Sequence, residues 1–125
     1  MPKGFVDFQS KTKNPEHRAV NDVAPEEVLK LKDQVCLVDV RRSEEFVGEL
    51  GHIDGAQLLT LDEIPRNFAQ LPKDRTIVCI CRSGGRSGHA AAFLAENGFT
   101  SVFNMRGGML LWNEMGLATQ RGDEI

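Results

Sequence analysis

The sequence predicts an α/β domain with a mostly parallel sheet that helices cover on both faces. Short, continuous apolar runs of strand length recur along the chain, which is typical of strands buried on both faces. Segments whose apolar residues have helical spacing separate these runs. Strands that alternate with helices in this way form parallel sheets, so the pattern favours this fold class.

Three segments are predicted to be strands. The two strongest are residues 35–40 and 76–80, which are short, apolar and partly β-branched. Residues 101–105 form a weaker third run. We expect these segments to form the interior of the sheet.

Two segments are predicted to be helices. Pro25, Glu26 and Glu27 are typical of a first helical turn, because proline fits an early position and acids favour the positive helix end. Residues 87–97 carry apolar side chains at helical spacing, and Gly98 follows as a stop signal.

Length and composition indicate one domain. The chain has 125 residues, of which 41% are hydrophobic, enough for one core and too few for two domains of ordinary size. Residues 1–17 are mostly polar. We therefore expect them to form an amino-terminal arm that is flexible or loosely docked.

The charge and the cysteines limit the possible partners and location. A formal net charge of -3 argues against nucleic acid as a partner. The sequence has no apolar stretch near the roughly 20 residues of a membrane span and no signal peptide, so a soluble protein without membrane contact is expected. The chain has three cysteines, an odd number that does not suit a disulfide framework. A reducing compartment fits better, so a cytoplasmic location is predicted.

The segment 77–87 carries the clearest sign of chemistry. A buried strand runs through Cys81 into a glycine-bearing turn and then a helix, which places the cysteine at the sheet edge where α/β folds bind ligands. Gly84 and Gly85 allow backbone N–H groups to turn inward around an anion. Arg82 and Arg86 add positive charge to the same loop.

This setting predicts a nucleophilic Cys81. A helix N-terminus and nearby arginines favour the thiolate, so no dedicated base is needed, and no Cys/His dyad is apparent. The same N–H groups can hold an oxyanion or a persulfide. A buried core cysteine is the alternative, but two arginines and two glycines within five residues contribute little to a core.

Four segments, in the right order, resemble the rhodanese-like family. The loop Cys81-Arg82-Ser83-Gly84-Gly85-Arg86 is similar to the family's six-residue active-site loop, which begins with the catalytic cysteine. The other matching segments are residues 38–46, 51–56 and 103–112. The resemblance implies a three-layer rhodanese-like domain over residues 18–118 with a mostly parallel, five-stranded sheet, followed by a tail at 119–125.

The resemblance also implies a sulfurtransferase. Cys81 is expected to take sulfane sulfur from thiosulfate or another persulfide donor and to pass it to cyanide or a thiol, which could belong to a protein. Arg82 and Arg86 are expected to hold the anionic donor, and the backbone N–H groups from Ser83 to Ser87 to stabilise the persulfide. The predicted substrate-binding residues are Arg82, Ser83, Gly84, Gly85, Arg86 and Ser87. Neither a metal nor an organic cofactor is implied.

Two other functions remain open at the level of sequence. The first is a cysteine phosphatase or an arsenate reductase-like enzyme. Cysteine phosphatases have five residues between the loop Cys and Arg, whereas only four residues separate Cys81 from Arg86. The shorter loop encloses a smaller space, which favours binding of a sulfur-sized group over a phosphate. A non-catalytic binding module of the same family usually lacks the cysteine, which is present here.

The remaining candidate side chains have simpler interpretations. Cys36 and Cys79 lie in predicted strands and are expected to be core residues. His52 and His89 are expected to pack or to face solvent.

Asp39 and Arg41 follow a predicted strand at the same sheet edge as Cys81. They could border the pocket or form a structural ion pair.

Overall fold

A computed structural model describes residues 4–121 and confirms the α/β class. The helices are α1 (Pro25–Leu31), α2 (Ser43–Phe46), α3 (Ile64–Asn67), α4 (Gly85–Glu96) and α5 (Gly108–Glu114), with 3-10 turns at Lys32–Gln34 and Phe68–Gln70. The strands are β1 (Thr12–Lys13), β2 (Asn21–Val23), β3 (Cys36–Asp39), β4 (Gln57–Leu58), β5 (Ile77–Ile80) and β6 (Val102–Met105). Within the described range, no helix has the length and apolar character needed to cross a membrane.

The strands form one sheet in the order β1-β2-β6-β5-β3-β4. Every neighbouring pair from β2 to β4 is parallel, and only β1 runs antiparallel to its neighbour. The parallel part therefore has five strands, and the short β1 adds a sixth at one edge. The three segments predicted to be strands became β3, β5 and β6, which lie together in the sheet.

Strand β5 is buried on both faces, as its continuous apolar sequence predicts. Ile77 and Cys79 pack in a cluster with Leu94 of α4. Val78 and Ile80 point to the opposite face and pack in a cluster with Trp112 of α5. Helices thus cover both faces of the sheet, and Cys81 follows the most enclosed of the strands.

The described part of the amino-terminal arm contacts the domain. Phe8 is 1% exposed, and its ring lies edge-on to that of Phe103, with the centroids 5.0 Å apart. The amides of Gln9 and Ser10 donate to the Glu27 carboxylate of α1. The division into an arm at 1–17, a domain at 18–118 and a tail at 119–125 stays a prediction, as does the firmness with which the arm is held. Residues 1–3 of the arm and 122–125 of the tail lie outside the described range.

Replacing Phe8 by alanine measures how firmly the arm is held. Loss of this buried ring should lower the free energy of unfolding by about 3 kcal/mol, the usual cost of a large cavity in a core. Urea denaturation gives the value, and Lys13→Ala, at an exposed position of the same arm, is the matched control. A loss below about 1 kcal/mol would show that the arm is only loosely docked.

Candidate active site

Cys81 lies directly after β5 and four residues before α4 begins. The strands on either side of β5 are β3 and β6, so the cysteine sits near the middle of the sheet's carboxyl edge. In sheets of this kind that edge binds ligands. The structure therefore places Cys81 where its sequence context predicts, between a strand end and a helix N-terminus.

Two hydrogen-bonding groups contact the Cys81 sulfur. The Gly84 amide donates to Sγ over 3.0 Å, and the Ser87 hydroxyl oxygen lies 3.2 Å from it. Cys81 is 1% exposed, so these contacts replace water around the sulfur. An N–H donor at this distance, at the positive end of α4, stabilises negative charge on sulfur.

The N-terminal residues of α5 hold the loop from its other side. The Met109 amide donates to the Cys81 carbonyl over 2.8 Å, and the Leu110 amide donates to the Arg82 carbonyl over 2.9 Å. A Cβ at Gly108 would lie 2.5 Å from both of these carbonyl oxygens, so only glycine permits this approach. The carbonyl oxygens of Cys81 and Arg82 consequently face α5.

The two loop glycines, both of which were expected to allow N–H groups to turn inward, have different backbone conformations. Gly84 has φ +108°, a conformation that side chains disfavour, and it caps α4. Gly85 is the first residue of α4 and does not have a positive φ; a Cβ there would meet open space. Gly85 therefore does not use the conformational freedom of glycine, because the helix begins two residues earlier than predicted.

Arg86 forms an ion pair with Glu45 of α2. Its two terminal nitrogens contact the two carboxylate oxygens at 2.8 and 3.0 Å. This guanidinium lowers the pKa of Glu45 to about 2, and the carboxylate in turn raises the pKa of Arg86. To bind a donor anion through the same two nitrogens, Arg86 must leave Glu45; its part in donor binding stays a prediction.

A groove of about 460 Å³ lies beside the loop. Arg82 lines it and is exposed, while Ser83 is exposed in the same turn. Ser87 is fully buried, so its hydroxyl reaches the sulfur and not the groove. The other lining residues are Arg41, Glu44, Glu45, Gly48, Glu49, Leu50 and Leu110.

Asp39 and Arg41 form a buried pair close to this groove. The Arg41 Nε and one terminal nitrogen donate to the two Asp39 oxygens at 2.9 and 2.8 Å, and that terminal nitrogen also donates to the Gly51 carbonyl. Both side chains are 1% exposed or less. The pair ties β3 to the segment around Gly51 as a structural ion pair. Arg41 also borders the groove, whereas Asp39 is not among the residues that line it.

The other cysteines and histidines take no part in the contacts of Sγ. Burial raises the pKa of both Cys36 and Cys79, which keeps these side chains in the thiol form. His52 stacks on Phe46, and its Nδ1 lies 2.7 Å from the Phe46 carbonyl oxygen. His89 is exposed on α4.

Sequence reasoning missed two residues of the site. Glu45 was recognised only as part of a matching segment, and its partner Arg86 lies 41 positions further along the chain. Asn104 is 2% exposed and its side-chain oxygen contacts the Ser87 hydroxyl, one residue removed from the sulfur. A polar residue within the otherwise apolar segment 102–105 was the available signal.

The family comparison agrees with this geometry. The model of the rhodanese-like domain family matches residues 24–115, so the chain belongs to the rhodanese-like domain family. A protein named sulfurtransferase from Allochromatium vinosum is 41% identical over 85 residues, which cover 68% of this chain and 78% of that protein. The thiosulfate sulfurtransferase GlpE of Shewanella oneidensis is 38% identical over 80 residues, which cover 64% of this chain and 77% of GlpE.

Solved structures share the fold. A rhodanese-like domain protein from Staphylococcus aureus is 30% identical and superposes with a TM-score of 0.68, covering 79% of this chain and 97% of that chain. A rhodanese-related protein from Thermoplasma volcanium has a TM-score of 0.72 at 24% identity, covering 78% of this chain and 94% of that chain.

Alanine substitutions at the two loop glycines should have different effects. Gly84→Ala forces a side chain into a left-handed conformation, and we expect it to lower the free energy of unfolding by about 1–2 kcal/mol. Gly85→Ala, the matched control, enters open space at the start of a helix and should change stability by less than about 0.5 kcal/mol. Thermal unfolding measures the stability of both variants. Equal losses of stability would show that the fold does not require the positive φ of Gly84.

The Glu45–Arg86 pair should stabilise the fold in a pH-dependent way. The pKa of Glu45 is lowered from 4.5 to about 2, so its stabilisation is present above about pH 4.5 and is lost as the pH falls toward 2. Because the Arg86 side chain is 37% exposed, we expect Glu45→Gln to cost only about 1 kcal/mol at pH 7.

Urea denaturation between pH 7 and pH 3 measures this difference. The gap between wild type and Glu45→Gln should narrow toward the acidic end. Glu44→Gln, at the exposed neighbouring position, should show no such trend. A gap that is constant with pH would mean that the ion pair does not stabilise the fold.

Proposed function

We propose that this protein is a sulfurtransferase that carries sulfur as a persulfide on Cys81. The proposal depends on one observation, the environment of the Cys81 sulfur. This sulfur accepts a hydrogen bond from the Gly84 amide at the N-terminus of α4, and Cys81 is only 1% exposed. Membership of the rhodanese-like family and the sulfurtransferases among its relatives support the same reaction class.

The first half-reaction loads the cysteine. The Cys81 thiolate attacks the outer sulfur of thiosulfate, the bond between the two sulfurs of the donor breaks, and sulfite leaves with the electron pair. The product is a persulfide anion, which the positive end of α4 stabilises. Arg82 is the exposed cation beside the groove and is proposed to attract the donor.

The second half-reaction transfers the outer sulfur from the Cys81 persulfide to an acceptor. A nucleophile such as cyanide or a thiol attacks the outer sulfur of the persulfide, and the Cys81 thiolate leaves. The groove lined by Arg82 and Leu110 gives such an acceptor a route to the loop. Thiosulfate is proposed as the donor because a relative, GlpE, is named for it.

A reducing compartment, the cytoplasm, is the proposed location. The reaction requires Cys81 as a free thiol at the start of each cycle, and all three cysteines are free in the structure.

Turnover of thiosulfate with cyanide tests the proposal. Cys81→Ser should reduce thiocyanate formation to the uncatalysed rate, because the nucleophile is lost. The controls Cys36→Ser and Cys79→Ala should retain most of the activity, since neither sulfur contacts the loop. Full turnover by Cys81→Ser would contradict the mechanism.

The same preparation separates the competing enzyme class. Hydrolysis of an aryl phosphate should be negligible, because the loop with four residues between Cys81 and Arg86 favours a group smaller than phosphate. Phosphatase activity without sulfur transfer would assign the protein to that class instead.

A further inference from the structure

A chain of buried side chains leads from the Cys81 sulfur past β6 to β2 and the amino-terminal arm. Ser87 lies 3.2 Å from Sγ, and its hydroxyl contacts the side-chain oxygen of Asn104. The Asn104 amide donates to Asp22 over 2.9 Å, and Asp22 also accepts from Asn14 of the amino-terminal arm over 2.8 Å. All five residues are less than 9% exposed, so water does not replace these contacts.

The orientation of the Asn104 amide follows from its neighbours. Its Nδ2 contacts the Asp22 carboxylate and the Gly84 carbonyl, both of which only accept hydrogen bonds. The amide nitrogen must therefore be on that side. The amide oxygen faces Ser87 and needs a donor there.

Ser87 cannot donate to both of its neighbours. A serine hydroxyl has a single hydrogen, and the Asn104 side-chain oxygen, which can only accept, takes it. The serine then has no hydrogen left for the 3.2 Å contact between its Oγ and Cys81 Sγ. The thiol hydrogen remains to bridge that contact, with Ser87 as the acceptor. Once the thiol loses its proton, the same serine presents a lone pair to a negative sulfur unless its hydroxyl turns away from Asn104.

We infer that Asn104 is a positioning residue that sets the direction of the hydrogen bond between Ser87 and Cys81. It holds the serine hydrogen away from the sulfur, which favours the thiol, and thiolate formation requires the hydroxyl to turn from Asn104 to Cys81. This inference rests on the proposed function, because it describes how the nucleophile of that reaction is formed. It assigns a role to a residue outside the active-site loop.

Substitution of Asn104 by leucine adds or removes no charge around Cys81, although it removes a hydrogen-bond donor from Asp22. The charged and titratable groups around Cys81 come from every element packed around the loop. These groups are Asp22 on β2, Asp39 at the end of β3, Arg41 just after β3, Glu45 on α2, Cys79 on β5, Arg82 and Arg86 around the start of α4, and His17 beside Gly88.

The test is the pH dependence of Cys81 alkylation by iodoacetamide, with Cys36→Ser in every variant to remove the half-buried thiol. Asn104→Leu removes the acceptor and frees Ser87 to donate to the thiolate. We expect the midpoint of the alkylation profile to fall by about 0.5–1 pH unit, the scale of one hydrogen bond to a charged group offset by the bond it replaces. Below the midpoint, sulfur transfer from thiosulfate should be about three- to tenfold faster.

The decisive control is the same substitution in a Ser87→Ala background. Without the serine hydroxyl, Asn104→Leu should leave the midpoint unchanged, because the two residues act through one hydrogen. A shift of equal size in both backgrounds would instead point to Asp22 or the Gly84 carbonyl, both of which lose a donor in either case, and would overturn the inference. No shift in the background with Ser87 would also overturn it.

A second measurement applies even if Asn104→Leu does not fold. The S–H stretching band of Cys81, isolated by subtracting the spectrum of Cys81→Ser, should lie at lower wavenumber in the wild type than in Ser87→Ala, because the wild-type thiol donates to Ser87. An unmoved band would contradict the assigned direction. If the wild type takes no sulfur from thiosulfate, the proposed function fails, but the alkylation midpoint and the S–H band still decide the direction of the hydrogen bond. If the persulfide forms and neither the midpoint nor the band shifts as expected, only the inference about Asn104 is refuted.

Discussion

The four residues between β5 and α4 must reverse the chain and still leave a hydrogen-bond donor facing the Cys81 sulfur. The backbone of Gly84, at φ +108°, meets both requirements, since it caps the helix and brings its own amide to 3.0 Å from Sγ. The rest of the site depends on this turn. The first amides of α5 hold the Cys81 and Arg82 carbonyls on the opposite side, which keeps these partial negative charges away from the sulfur.

The ion pairs at this edge fix the surroundings of the turn. Glu45 ties Arg86 to α2, and Asp39 ties Arg41 to the segment around Gly51. Each arginine is thus held by a carboxylate, one partly exposed and one buried. The exposed Arg82 is left as the loop cation that faces the groove without a carboxylate contact among the described residues. Under the proposed function, donor attraction thus falls to Arg82, whereas Arg86 and Arg41 hold the structure of this edge.

The sequence was sufficient to predict the interior of the fold and the position of Cys81. Segments β3, β5 and α4 have strong apolar patterns, and a strand that leads into glycines and then a helix has few other interpretations. Strands β1, β2 and β4 have only two or three residues, too few to show a period. Their pairing depends on the tertiary fold.

The side-chain partners within the site could not be predicted in the same way. Glu44 and Glu45 are adjacent and chemically equivalent, and only the direction of α2 places the second beside Arg86. Asn104 meets Ser87 because β6 lies next to β5 under α4, a relation that spans 17 positions. Local patterns do not encode such contacts.

Localising the transferred sulfur tests the central claim most directly. After incubation with thiosulfate, intact mass should show one added sulfur atom that a reductant removes. Cys79 and Cys81 fall on the same tryptic peptide, between Arg75 and Arg82, so fragment ions must separate them, whereas Cys36 falls on another. The account predicts that the sulfur is on Cys81; sulfur on Cys36 or Cys79, or a mass that does not change, would contradict it.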